Sequence, residues 1–545
     1  MKKRWITGLS LLLTASLVAG CGGKEAGTDK NSGEDGGAIN YSMQVWDSSY
    51  KWDTPINKKL EEKMGVSFEY LPIVDGGGSG ASKVDVWLAS EDYPDIINDS
   101  PLTIGKYKDA GAVIPLEDLI EEHGPNIKKK FGKYFDLLKD EEGHIYSLYG
   151  VNLATEPSPD SQASFLVQYD VLEEAGYPEI KTLDELYTIL ESYYKNHPKT
   201  EDGKDIIPFS GISGGLLDVN PALNAAGLPD HGFYEIKDDN VSFAMTSDES
   251  KEYLKFLNKL QNAGMLDKEV FSLNAEMAGA KITQGRVLAT YMPAWLMRGY
   301  ESSIIANGDY DKLYAKFPIM LHEGIEDLSN GLPPTSSSTN LAITTKAKNP
   351  ERIIQLIDYL FTDEGQILVN WGIEGEHYDV VDGKRVRNAE FDTKLKSDPS
   401  VGTSEGIQGP FNRYSFGNGA KLDDGDYATP ITKDYVASSY DDRTKEVLAK
   451  YGKQTWADFA AKPVIYPTML WQLNTPEDAK PIAIKLEETW HKEAAKVILS
   501  KTDAEFESNW NEAVSQIEKN GKQKLDESMT QVWQDYMERY NQAVK

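Results

Sequence analysis

Aromatic side chains recur beside hydrogen-bonding ones at several points of this chain. They are Trp46-Asp47 with Tyr50 and Trp52, Trp295 with Arg298, Trp371 with Glu374 and Tyr378, Phe411-Asn412-Arg413-Tyr414, and Trp471 after Tyr466-Pro467-Thr468. A flat apolar ring next to a polar group suits a molecule with one C–H face and a rim of hydroxyls, and a pyranose is such a molecule. Arg298 and Arg413 add fork-shaped cations able to hold a carboxylate, as a uronate would present. Each residue also has a plainer reading. A single ring can fill a core, and an arginine on an acidic protein can pair with its own carboxylates. Trp490, Trp510 and Trp533 lie on apolar helical faces and are expected in the core.

Catalytic patterns are weaker. Gly211-Ile212-Ser213-Gly214-Gly215 matches G-x-S-x-G after the strand-like Ile206–Phe209. A hydrolase also needs an acid and then a histidine after the serine; His231, His322, His377 and His491 follow it, none in a distinctive setting. The 87 acidic residues hold no segment that marks a catalytic pair. Gly76-Gly77-Gly78-Ser79-Gly80 lacks the lysine of a phosphate cradle and reads as a loop. One cysteine excludes an intramolecular disulfide framework and a thiolate metal cluster, and seven scattered histidines fit zinc poorly. No catalytic residue, metal or cofactor is expected.

Against those acids stand 57 basic residues, a formal net charge of -30. Nucleic acid is a poor partner for such a surface, because binding a polyanion needs a basic face. The 545 residues are enough for two to four domains at about 100–200 residues each.

The N-terminus accounts for the single cysteine. Lys2, Lys3 and Arg4 precede an apolar run through Val18, the pattern of a secretory signal. Leu17-Val18-Ala19-Gly20-Cys21 resembles the bacterial lipobox, which makes Cys21 the lipidated first residue after cleavage of residues 1–20. Residues 21–39 then form a tether rich in Gly, Ser and charge. No other stretch approaches the ~18 apolar residues of a membrane span.

The positioning elements are legible next. Tyr41, Met43 and Val45 alternate as a strand; Thr54-Pro55 opens a helix carrying Ile56, Leu60 and Met64 and stopped by Gly65; Val66, Phe68 and Tyr70 alternate again. Strand–helix–strand at this spacing predicts parallel pairing. A short strand ends at Asn98-Asp99-Ser100. Thr182-Leu183-Asp184-Glu185 is a capping box, and Val287–Tyr291 is a strand emptying into Met292-Pro293-Ala294-Trp295. Leu341–Thr344 is another strand, and Asn349-Pro350 caps a helix. From about residue 477 the apolar spacing is helical. The pattern is α/β with a helical C-terminal extension.

Several segments together resemble the family 1 extracellular solute-binding lipoproteins of ABC sugar importers, in the large Gram-positive branch associated with oligosaccharides. They are Asn57-Lys58-Lys59-Leu60-Glu61-Glu62-Lys63-Met64-Gly65-Val66, Leu88-Ala89-Ser90-Glu91-Asp92-Tyr93-Pro94-Asp95-Ile96 and Ala110–Leu119. Phe361-Thr362-Asp363-Glu364-Gly365-Gln366 and Trp371–Tyr378 complete the set. The resemblance implies a two-lobe, type II periplasmic-binding-protein-like fold hinged around its ligand. By analogy lobe 1 holds 40–160 plus 317–365, and lobe 2 holds 161–316 plus 366–545. It implies a non-enzymatic protein, a monomer lipid-anchored outside the cell membrane, that hands an oligosaccharide to ABC permease subunits. The alternatives are a secreted carbohydrate-active enzyme, a binding protein for another solute such as a peptide, and an adhesion lipoprotein. The ligand-binding candidates are Trp46, Asp47, Tyr50, Asn98, Ser100, Trp295, Arg298, Trp371, Glu374, Tyr378, Arg413 and Trp471. The resemblance marks Asn98, Ser100 and Trp295 as contact positions. Some relatives carry a calcium loop before the Ile206–Phe209 strand. Here His197–Asp205 offers too few oxygens, so no metal is expected.

Overall fold

The computed structural model describes residues 38–73, 79–140, 142–154, 158–159, 163–217, 219–398 and 400–545. The signal, Cys21 and the tether through residue 37 lie outside the described residues, as do residues 76–78 of the glycine run. Ser79 and Gly80, read as part of that loop, instead open a helix, Ser79–Ser90.

Two principal sheets carry the fold. Their strands are β1 (Ile39–Val45), β2 (Val66–Pro72), β3 (Ile96–Asp99), β4 (Leu148–Val151), β5 (Ala163–Gln168), β6 (Ile207–Phe209), β7 (Val287–Pro293), β8 (Tyr314–Phe317) and β9 (Thr335–Ile343). The five-stranded sheet has the order β2-β1-β3-β9-β4, and the four-stranded sheet β8-β5-β7-β6. β1 runs parallel to β2 and β3, while β9 runs antiparallel to β3 and β4. In the second sheet β7 is parallel to β6 and antiparallel to β5.

Local chemistry sets the first unit as read. The Thr54 hydroxyl accepts from the Asn57 N–H at 3.2 Å and caps α1 (Pro55–Met64), and Gly65 ends it at φ 62°. A side chain at Gly65 would be strained, and its Cβ would lie 2.9 Å from the Arg352 guanidinium. The Thr182–Glu185 capping box is present with both of its hydrogen bonds. Asn349 differs from its reading. Its backbone is left-handed, and its side chain makes no cap bond to the helix that Pro350 begins.

Each sheet has its own core. Tyr41, Met43, Ile96, Leu341 and Ile343 pack with Ile353, Ile357 and Phe361 on the first. On the second, Phe165, Val167, Val287 and Ala289 pack with Trp490, Phe506, Trp510 and Trp533 of the C-terminal helices, as those tryptophans' spacing predicts. The chain changes sheets at other places than expected. Phe317 pairs with Phe165 across β8 and β5, and Ile319 and Leu321 stay with it in the second core. Val369, Phe411, Tyr414, Phe416, Leu422 and Ala428 join the first core, though 366–545 was expected with the second lobe. The Gln366 side chain holds that segment, donating to the Tyr414 carbonyl at 3.0 Å and accepting from the Phe416 N–H at 2.9 Å. Among the described residues no helix is long and apolar enough to cross a membrane.

Candidate functional site

Topology decides which loops share the junction between the two bodies. Chain leaves the first sheet at Val151, the C-terminal end of β4, and enters the second at Ala163, the start of β5. It returns into β9 at Thr335, which pairs with Val151. β3 and β4 both run antiparallel to β9, and β1 runs parallel to β3, so the loops after β1, β3 and β4 leave in the same direction, toward the start of β9. In the second sheet Ala163 pairs with Pro293, which puts the loop after β7 at the edge where chain arrives. Segments at these strand ends therefore lie where the chain crosses between the two sheets, and open α/β sheets bind ligands beyond the carboxyl ends of their strands. Gly331–Leu332 pairs in parallel with Val464–Ile465 and fastens one connector to the second body.

The structure brings three candidates together beyond β1. The Arg413 guanidinium lies 4.9 Å from the centre of the Trp46 ring, and Trp46 meets Tyr50 edge-on at 5.4 Å. Trp46 is 37 % exposed; Tyr50 is buried. Burial pushes the Tyr50 phenol up to about 12, assisted by Asp47 and opposed by Arg413, so it stays a hydrogen-bond donor at neutral pH. Asp47 accepts from the Ser49 N–H at 2.8 Å and shapes the loop.

At the end of β3, Ser100 caps the helix Pro101–Asp109 by accepting from the Thr103 N–H at 3.3 Å. Asn98 has no exposed surface; its amide lies 3.5 Å from the Tyr414 hydroxyl, and its side-chain oxygen has no partner among the described residues. Sequence reasoning missed the chain of bonds beside it. The Tyr107 hydroxyl donates to Gln44 at 2.9 Å, and Gln44 donates to Asp99 at 2.5 Å. A glutamine between Met43 and Val45 in an apolar strand was the available signal, since a buried amide needs partners.

On the second sheet Trp295 is the second residue of the helix Ala294–Asn307 and is 69 % exposed. Arg298 lies one turn further on and is exposed. Beyond β6 sits another unforeseen group. The Ser210 hydroxyl donates to Asp267 at 2.7 Å, and Lys281 donates to both carboxylate oxygens at 2.9 and 2.8 Å. Burial pushes the Asp267 carboxyl up, but Lys281 and Ser210 outweigh it and hold it below the usual range.

Other candidates fall elsewhere. Trp371 is 3 % exposed, with its indole N–H on the Tyr427 carbonyl, and Tyr378 is buried against it at 6.0 Å. These rings are occupied by packing, while Glu374 is exposed on the turn leading to Tyr378. The Trp471 side chain lies outside the described residues. Phe411 and Trp52 pack on Phe68. Among the histidines that follow Ser213, His231 accepts from the Leu470 N–H, His322 faces the Glu323 carbonyl and His377 lies beside Glu405. In the segment compared with a calcium loop, Lys204 and Lys199 form ion pairs with Asp202 and Asp205 at 2.8 and 2.9 Å.

Residues 46–367 match the model of the family described as bacterial extracellular solute-binding protein. The fructooligosaccharide ABC transporter substrate-binding protein FusA of Streptococcus pneumoniae is 27 % identical over 408 residues, covering 69 % of this chain and 72 % of that one. Lipoprotein LipO of Bacillus subtilis is 23 % identical over 402 residues, 70 % and 75 % of the two chains. The solved structure of FusA from S. pneumoniae in complex with kestose superposes with a TM-score of 0.63 at 20 % identity, covering 91 % of this chain and 99 % of that one. That likeness extends to the two-body fold with its helical C-terminal region. With a family match spanning most of both sheets, the chain belongs to the bacterial extracellular solute-binding proteins.

Proposed function

We propose that this protein is the substrate-binding component of an ABC importer and captures an oligosaccharide between its two bodies. What supports the reading is the family match that spans most of both sheets, together with two exposed aromatics that follow strand ends, Trp46 after β1 and Trp295 after β7. Closure of the bodies would wrap one sugar between the two rings, drive water from its C–H faces and leave its hydroxyls to the polar strand ends. The protein performs no chemical step in this reading. Relatives named as transporter binding proteins and as a lipoprotein support an anchored receptor that works outside the cell through permease subunits. Lipid on Cys21 and the tether behind it would keep the bodies near that permease.

Thermal melting of the mature chain against an oligosaccharide panel tests this. Ligand at a hundred times its dissociation constant adds about 2.7 kcal/mol. A shift with intact sugar recovered supports capture, whereas shortened sugar points to an enzyme. A shift with peptides alone would end the sugar assignment.

A further inference from the structure

Arg413 differs from six other arginines in its partners, which are the Tyr50 phenol and the Trp46 ring. Arg286, Arg352, Arg385, Arg387, Arg443 and Arg539 each donate to a carbonyl or carboxylate oxygen of the protein. Arg413 is exposed, and no carboxylate lies within 4 Å of it among the described residues. This holds in a chain with 87 acidic residues.

Its base is rigid. Phe411 and Tyr414 on either side are in the first core. Asn412 donates to Asn370 at 3.0 Å, and the Tyr414 carbonyl is held by Gln366. The Arg413 carbonyl presses on β4 so closely that a Cβ on Gly150 would lie 2.8 Å from it. The side chain therefore leaves a fixed backbone and lays its cation over Trp46, beside the protonated Tyr50 phenol. A guanidinium over one face of a partly exposed indole and a phenol packed edge-on against it thus meet in one place. Such a constellation matches a ring bearing a carboxylate: the fork takes two oxygens and the indole takes the C–H face.

We infer that Arg413, with Trp46 and Tyr50, forms an anion-reading subsite, and that the captured oligosaccharide carries a uronic acid at that position. This rests on the sugar-capture reading above and adds the ligand's charge to it. A chain of net charge -30 repels such a ligand at long range, so local selectivity must come from a cation that no carboxylate neutralises.

The test uses the full mature chain and calorimetric titration. The probes are uronate oligosaccharides from pectin, alginate and glucuronoxylan, each paired with its carboxyl-reduced counterpart. The expected result is that at least one acidic sugar binds roughly tenfold or more tightly than its reduced partner. Arg413→Gln should erase that difference and Arg413→Lys should restore only part of it, both at unchanged melting temperature. Reduced or neutral sugars bound as well as acidic ones, or a preference that survives Arg413→Gln, would overturn the proposal while sugar capture stands. Binding of no sugar of either kind would remove both.

Discussion

The indole N–H of Trp371 donates to the carbonyl oxygen of Tyr427 at 2.9 Å, which ties this ring into the fold by its polar corner. Trp295 is 69 % exposed at the mouth of the second sheet. The two rings should therefore answer to different measurements. Trp371→Ala is predicted to lower stability by about 3 kcal/mol or more, with sugar affinity per folded molecule retained. Trp295→Ala should leave denaturation midpoints in place and weaken binding by roughly tenfold. Equal effects of the two changes on affinity would contradict this assignment.

His231 makes stability depend on pH with a definite sign. Its ring is buried and accepts from the Leu470 N–H at 3.2 Å, and burial holds its pKa down to about 4 from the ordinary 6.5. The unfolded chain takes up this proton first, so the contribution is complete above 6.5 and declines as pH falls toward 4. The loss amounts to about 3 kcal/mol across that window. Urea unfolding at several pH values should show His231→Gln losing less stability on acidification than the parent. Parallel pH profiles for the two proteins would rule the mechanism out.

Lys281 is predicted to be a structural partner of Asp267. Lys281→Met leaves a carboxylate whose side chain is 4 % exposed without its cation, at a cost of about 3 kcal/mol. Because the paired Asp267 titrates below the usual carboxylate range, its contribution is present above the unfolded pKa. It is lost as pH falls through the folded one. The deficit of the variant should therefore be largest near neutrality and shrink in acid. A deficit independent of pH would point to lost packing alone.

Arg539 fastens the last helix to the first body. It donates to the Lys139 carbonyl at 2.5 Å, and Tyr540 stacks on Tyr134 at 6.3 Å. We predict that Arg539→Ala with Tyr540→Ala broadens the distances between spin labels placed on the two bodies of the ligand-free protein. The stability change should stay within about 2 kcal/mol. An unchanged distance distribution would show that this contact does not restrain the bodies.

The first unit of the fold was readable because its signals are local. Thr54, Pro55 and Gly65 act within a few residues of themselves, and strand alternation around Tyr41 and Phe68 declares a buried face. Residues 366–428 carry no comparable period. They are placed by Gln366 reaching Tyr414 and Phe416 about fifty positions away, and such bonds leave no trace in sequence spacing. The exposure of the candidate rings was legible only in part. Trp46 and Trp295 follow strands directly and are exposed at strand ends, whereas Trp371, of identical chemistry, is buried by Tyr378, Arg385 and Tyr427. The Ser210–Asp267–Lys281 group was illegible because its members lie on three separate elements.

The interleaving of the two cores has a consequence for how the molecule matures. The first core takes its last residue at Ala428, whereas the second waits for Tyr536. A chain emerging N-terminus first can therefore complete the first body while the second still lacks Trp490, Trp510 and Trp533. Until those tryptophans arrive, the strands between residues 163 and 317 expose apolar surface with nothing to cover it. That window is when the protein depends most on chaperones or on speed. Truncations within the last helix should consequently produce a folded first body attached to an aggregation-prone remainder, not a uniformly weakened protein.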